Sequence, residues 1–112
     1  MGSKQGTADF LVDQMAGAGE VYAKKMFGEF GVFCDGKMAA VICDDQLYVK
    51  KTEAGAAFIG DPVESPPFPG AKNYYLIDGD RWDEREWLTE LLRMTALAMP
   101  LPKPKKKALK PS

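Results

Sequence analysis

The sequence predicts an α+β domain of two layers. One layer is an about five-stranded, mainly antiparallel sheet. The other holds an N-terminal helix, a short middle helix and a long C-terminal helix. Alternation of period two runs from Glu20 to Lys51 and is broken by two-residue turns at Asp35-Gly36 and Asp44-Asp45. Near the other end, Trp87, Leu88, Leu91, Leu92, Thr95, Ala98 and Met99 recur at helical spacing, so one side of that segment is expected to be buried. The chain has 112 residues, 46% of them apolar and 28% charged, which suits one domain with its own core and no need of a metal or disulfide staple.

Each element follows from local chemistry. A first helix is expected from about Thr7 to Ala16, with Thr7 as its cap, Asp9 at its positive end, and Phe10, Leu11 and Met15 as its apolar stripe. Residues 1–6 are expected to be disordered, and residues 7–99 to form the domain. Gly17 and Gly19 end the helix. Val21–Met26 reads as a strand, and the glycines of Gly28-Glu29-Phe30-Gly31 suit a turn or bulge rather than a phosphate-binding loop. Phe30–Cys34, Lys37–Cys43 and Gln46–Lys50 form a meander. Thr52–Gly60 suits a short helix. Four prolines within Pro62–Pro69 exclude an interior strand or helix, and Phe68 is expected to pin that loop to the core. Lys72–Ile77 is the last strand, and Asp80 is expected to cap the closing helix, which Pro100 ends.

The tight turns imply a register. Cys34 should face Lys37, Phe33 should face Met38 and Gly31 should face Ala40, while Cys43, Ile42 and Ala40 should face Gln46, Leu47 and Val49. Phe33, Met38, Ala40, Ile42, Leu47 and Val49 would then line the core. Val32, Cys34, Lys37, Ala39, Val41, Cys43, Gln46, Tyr48 and Lys50 would share the other face. Its apolar centre, Val32, Val41 and Tyr48, is the candidate partner face, to be covered by a loop or a second subunit. Cys34 and Cys43 would lie on that one face but roughly 20 Å apart at ~3.3 Å per residue, too far for a disulfide.

Little in the chain points to catalysis. There is no histidine, which removes the commonest general base and metal ligand. Asp78, Asp80, Asp83, Glu84 and Glu86 cluster where a helix start selects acids, and no nucleophile elbow, Cys-His arrangement, Walker loop or EF-hand pattern occurs. No catalytic residue, cofactor or metal is expected. No run is apolar enough to span a bilayer and no signal peptide is recognisable, so the expected location is cytoplasmic, with no membrane contact. Charge is divided: residues 1–99 carry ten Lys and Arg against 16 Asp and Glu, a net −6, whereas Pro100–Ser112 carries Lys103, Lys105, Lys106, Lys107 and Lys110 and no acid. This Pro/Lys-rich tail, residues 100–112, is expected to be disordered and is a candidate anionic contact.

Met26-Phe27-Gly28, Gly31, Asp35-Gly36, Leu47-Tyr48-Val49-Lys50, the proline-flanked Phe68 and Tyr74-Tyr75 together resemble the TfoX N-terminal domain over about residues 7–99. The family is linked to regulation of natural competence in bacteria, and the resemblance is to the N-terminal domain only. It implies a sheet with helices packed on it, no known catalytic residues, and action alongside other regulators at promoters. The expected function is therefore a non-catalytic regulatory, protein-interaction domain. Its expected partners are proteins, a transcription regulator among them, with a homodimer through the mixed sheet face as a further candidate. The alternative is a nucleic-acid-associated protein that binds through its lysine tail.

Overall fold

The computed structural model describes residues 3–26 and 28–99. The lysine tail and Phe27 lie outside the described residues. The elements run α1 (Gln5–Met15), a 3₁₀ turn (Ala16–Ala18), β1 (Val21–Met26), β2 (Glu29–Cys34), β3 (Lys37–Cys43), β4 (Gln46–Val49), α2 (Glu53–Ile59), β5 (Val63–Ser65), β6 (Tyr74–Ile77), a 3₁₀ turn (Gly79–Arg81) and α3 (Arg85–Ala98). Six strands form one antiparallel sheet in the order β1-β2-β3-β4-β6-β5. The added strand, β5, is a three-residue edge strand just ahead of Pro66-Pro67, where unpaired N–H groups cost nothing to lose.

The helices cover one face of the sheet. Ala8, Leu11 and Met15 of α1 and Leu88, Leu91, Leu92 and Ala96 of α3 pack on Phe30, Val32, Cys34, Ala39, Ala40, Ile42, Leu47, Val49, Tyr75 and Ile77. Thr95 is fully buried in this layer, and its hydroxyl donates to the Leu91 carbonyl at 2.7 Å. Lys37 Nζ donates to the carbonyls of Ala96 (2.8 Å) and Met99 (3.0 Å), placing a cation at the negative end of α3. Ala98, by contrast, points outward.

Register is where the strands depart from the simple hairpin expectation. Cys34 faces Lys37 and Phe33 faces Met38, but the pairing then shifts, so Val32 faces Ala40, Gly31 faces Val41 and Phe30 faces Ile42. One extra residue on β3 makes Ala39 and Ala40 consecutive core residues, as a β-bulge does. The bulge corrects the expected faces. Val32, Cys34 and Lys37 lie on the helix side, while Phe33 and Met38 face the other way. The two cysteines therefore sit on opposite faces.

Both meander turns use the left-handed backbone. Asp35 and Gly36 have φ of 53° and 85°, and Asp44 and Asp45 have φ of 54° and 57°. Two adjacent aspartates in this region are strained, and one of them has a second task. Lys4, not Thr7, is the N-cap of α1, and Asp45 Oδ1 anchors this helix start by accepting from the Lys4 amide (2.8 Å) and the Thr7 hydroxyl (3.0 Å). Ser3 joins the same knot, donating to Glu29 and accepting from the Asp45 amide at 2.9 Å. Ser3 to Gly6 thus belong to the domain instead of preceding it. At the last helix, Asp78 caps the 3₁₀ turn through the Asp80 amide, and Glu84 precedes α3, so Asp80 is not the cap.

The Lys4 amide bond is the chief reason the Asp45 carboxyl titrates below the usual carboxylate range, with the Thr7 hydroxyl adding to it. A depressed folded-state value means that its contribution is present at neutral pH and is lost as pH falls through that value. Asp44→Gly should raise the thermal midpoint by a few degrees, through relief of strain of about 1 kcal/mol. Asp45→Gly should lower the midpoint at pH 7, because the start of α1 loses its anchor on the β3–β4 turn. Thermal melts of both variants at pH 7 and pH 2 check this, with the gap between them narrowing in acid.

Candidate interaction face

The face away from the helices is built from the residues that the bulge turns outward. Tyr22 of β1 and Phe33 of β2 are cross-strand partners whose rings stack at 5.2 Å with an interplanar angle of 5°. Beside them a hollow of about 440 Å³ is lined by Met26, Glu29, Phe30, Gly31, Met38, Cys43 and Phe68. Gly31 leaves room for two of the lining side chains. A Cβ there would come within 2.5 Å of Met26 Cε and 2.9 Å of Met38 Sδ, so its missing side chain lets the two methionines settle over the strand.

The centre of the face is closed by the chain itself. Val41 and Tyr48 are each 8% exposed and pack with Cys43, Met38, Tyr74 and Leu76. Of the three candidate partner residues, Val32 is fully buried under the helices on the opposite face. Phe68 does not pin its loop: it is 56% exposed, and Pro67 is the buried residue of that segment. Phe68 stands between the apolar hollow and a second cleft of about 600 Å³, lined by Lys50, Lys51, Gly70, Ala71, Lys72, Asn73 and Tyr74 as well as Phe68 itself. Tyr74 and Tyr75 point to opposite sides of β6, Tyr74 beneath Lys50 Nζ (5.7 Å from the ring centre) and Tyr75 into the core.

The profile of the TfoX N-terminal domain matches residues 13–99. The chain belongs to the TfoX N-terminal domain family. A relative from Spirochaeta aurantia, named "Uncharacterized 12.7 kDa protein in trpE 5'region", is 40% identical over 99 residues, which cover 88% of this chain and 85% of that protein.

The residues that carry the resemblance fall into three groups. Gly28 (φ 83°) makes the β1–β2 turn, and Asp35-Gly36 makes the β2–β3 turn. Leu47 and Tyr75 are core residues. Met26, Gly31, Tyr48, Lys50, Phe68 and Tyr74 gather on the open face or at its rim. Sequence reasoning missed Tyr22, Phe33 and Met38. An alternating pattern cannot show a bulge, although the adjacent small pair Ala39-Ala40 is a trace of one.

Among the described residues no group of three or more His, Cys, Asp or Glu side chains is placed to hold a metal ion, and no helix is long and apolar enough to cross a membrane. Both thiols are held in the protonated form. Burial, with Glu29 and Asp44 nearby, pushes Cys43 up to about 11, and burial, with Asp35, raises Cys34, whose Sγ lies 3.7 Å from the Ala18 carbonyl. A protonated thiol is a poor nucleophile. Alkylation of the folded protein by iodoacetamide at pH 8 should run at least tenfold slower than that of free cysteine, and it should accelerate as pH approaches 11. Peptide mapping of the alkylated cysteines checks this.

Proposed function

We propose that this domain is a non-catalytic regulatory module that acts in the cytoplasm and binds another protein through the apolar half of its open sheet face. The observation that carries this reading is the stacked Tyr22–Phe33 pair beside the methionine-lined hollow over Gly31. Methionine side chains are flexible and polarisable, so Met26 and Met38 can repack around an inserted apolar side chain. Aromatic and methionine residues also concentrate at the centres of protein interfaces. Membership of the TfoX N-terminal domain family supports the regulatory part, with a transcription regulator as the partner class.

The occupant this reading names is a different protein rather than a second copy. A photoreactive residue replacing Tyr22, which is 44% exposed, should give a discrete adduct with one cellular protein in the native host. Met38→Glu should abolish that adduct, and the same label at the exposed Leu97 of α3 should give none. Adducts from position 97 alone would contradict the assignment of the face. A Met38→Glu-sensitive dimer in sedimentation would replace the foreign partner by a second copy.

A further inference from the structure

The second cleft on the open face differs in chemistry from the apolar hollow. Three of the seven lysines in residues 1–99, Lys50, Lys51 and Lys72, line it together with Phe68, Tyr74 and the Asn73 amide. Lys51 is tied to Glu64 at 2.8 Å, while Lys50 and Lys72 carry no ion pair with a described residue. Lys24, the cross-strand partner of Gly31, is exposed on the same face. The surrounding body has a net charge of −6, and half of its 16 acidic side chains lie on α1, on α3 or between β6 and α3. A positive cleft on an acidic body, opposite the acid-rich layer, is a specific local field rather than a general property of the surface.

Lysines alone would take any anion. The aromatic residues narrow the choice. Phe68 holds its ring 56% exposed at the tip of a loop stiffened by Pro66, Pro67 and Pro69, so it is presented at little conformational cost. Tyr74 forms a second ring at the cleft, under Lys50. Cations that follow a backbone, beside rings on which bases can stack, form the combination that holds single-stranded nucleic acid. A duplex hides its base faces and offers only phosphates. We infer that the Lys50–Phe68–Lys72–Tyr74 cleft is a binding site for single-stranded nucleic acid, with a base stacked on Phe68 and phosphates on Lys50 and Lys72. This site uses none of the tail lysines and does not rest on the protein-docking reading above.

The test uses the full chain and a fluorescent twelve-nucleotide oligothymidylate, titrated across a salt series. Phe68→Ala should weaken binding about fivefold or more, as expected for removal of one base stack. Lys50→Gln with Lys72→Gln should weaken it further and reduce the salt slope by about 1.4, at ~0.7 for each phosphate no longer neutralised. Both effects should persist when all five tail lysines are replaced by Gln. Phe68 and Lys72 are exposed and Lys50 is half-buried, and unchanged thermal midpoints confirm that the variants are folded. Binding by both cleft variants that matches the parent would overturn the site and assign any affinity to the tail. A duplex of equal length binding as tightly as the single strand would overturn stacking on Phe68. Thymidine monophosphate binding as tightly as the oligomer would replace the strand by a free nucleotide.

Discussion

Side chains on a strand alternate between faces, so one extra residue in β3 reverses everything beyond it. The structure depends on that residue. The shift between Val32 and Phe33 lets the hairpin keep its tight Asp35-Gly36 turn while Val32, Cys34, Ala39 and Ala40 all enter the layer beneath α1 and α3. The two small alanines make this possible. They occupy consecutive buried positions where larger side chains would collide with the helices. Phe33 and Met38 turn outward as a consequence, and these two residues, with Tyr22 and Met26, give the open face its character.

The two faces then acquire different chemistry. Lys37, on the helix side, is used up in capping α3. Much of the acid sits on the helices and the segment leading into α3, whereas Lys24 and Lys50 belong to the open face and Lys51 and Lys72 stand at its edge. Phe68 divides that face into an apolar hollow and a basic cleft. The residues that carry the resemblance reach both: Met26 and Gly31 line the hollow, Lys50 and Tyr74 line the cleft, and Phe68 belongs to each. A domain with two adjoining surfaces of unlike chemistry is suited to joining two unlike partners.

Much of the fold was legible because its signals are local. Asp-Gly and Asp-Asp turns between alternating runs fix the meander, and the apolar repeat from Trp87 onward fixes α3. Three features resisted for physical reasons. The bulge leaves only the adjacent alanines Ala39-Ala40 as a trace. β5 is too short to show a period. The helix starts depend on more than local choice: Asp45, distant in sequence, anchors the start of α1, where Lys4 rather than Thr7 is the N-cap, and Asp78 stands where Asp80 was the local choice. The partner face suffered most, since an error of one residue moved Val32 to the wrong side and concealed Phe33 and Met38.

The most direct measurement is the cross-strand proton pairing of β2 and β3 by nuclear Overhauser effects in the labelled protein. The bulged register predicts Phe30 opposite Ile42 and Val32 opposite Ala40, with the Phe33 ring against Tyr22 and away from the α3 leucines. Phe30 opposite Val41 and Gly31 opposite Ala40, with Phe33 packed among Leu88, Leu91 and Leu92, would contradict it. The open face would then lack Phe33 and Met38, on which its apolar half depends.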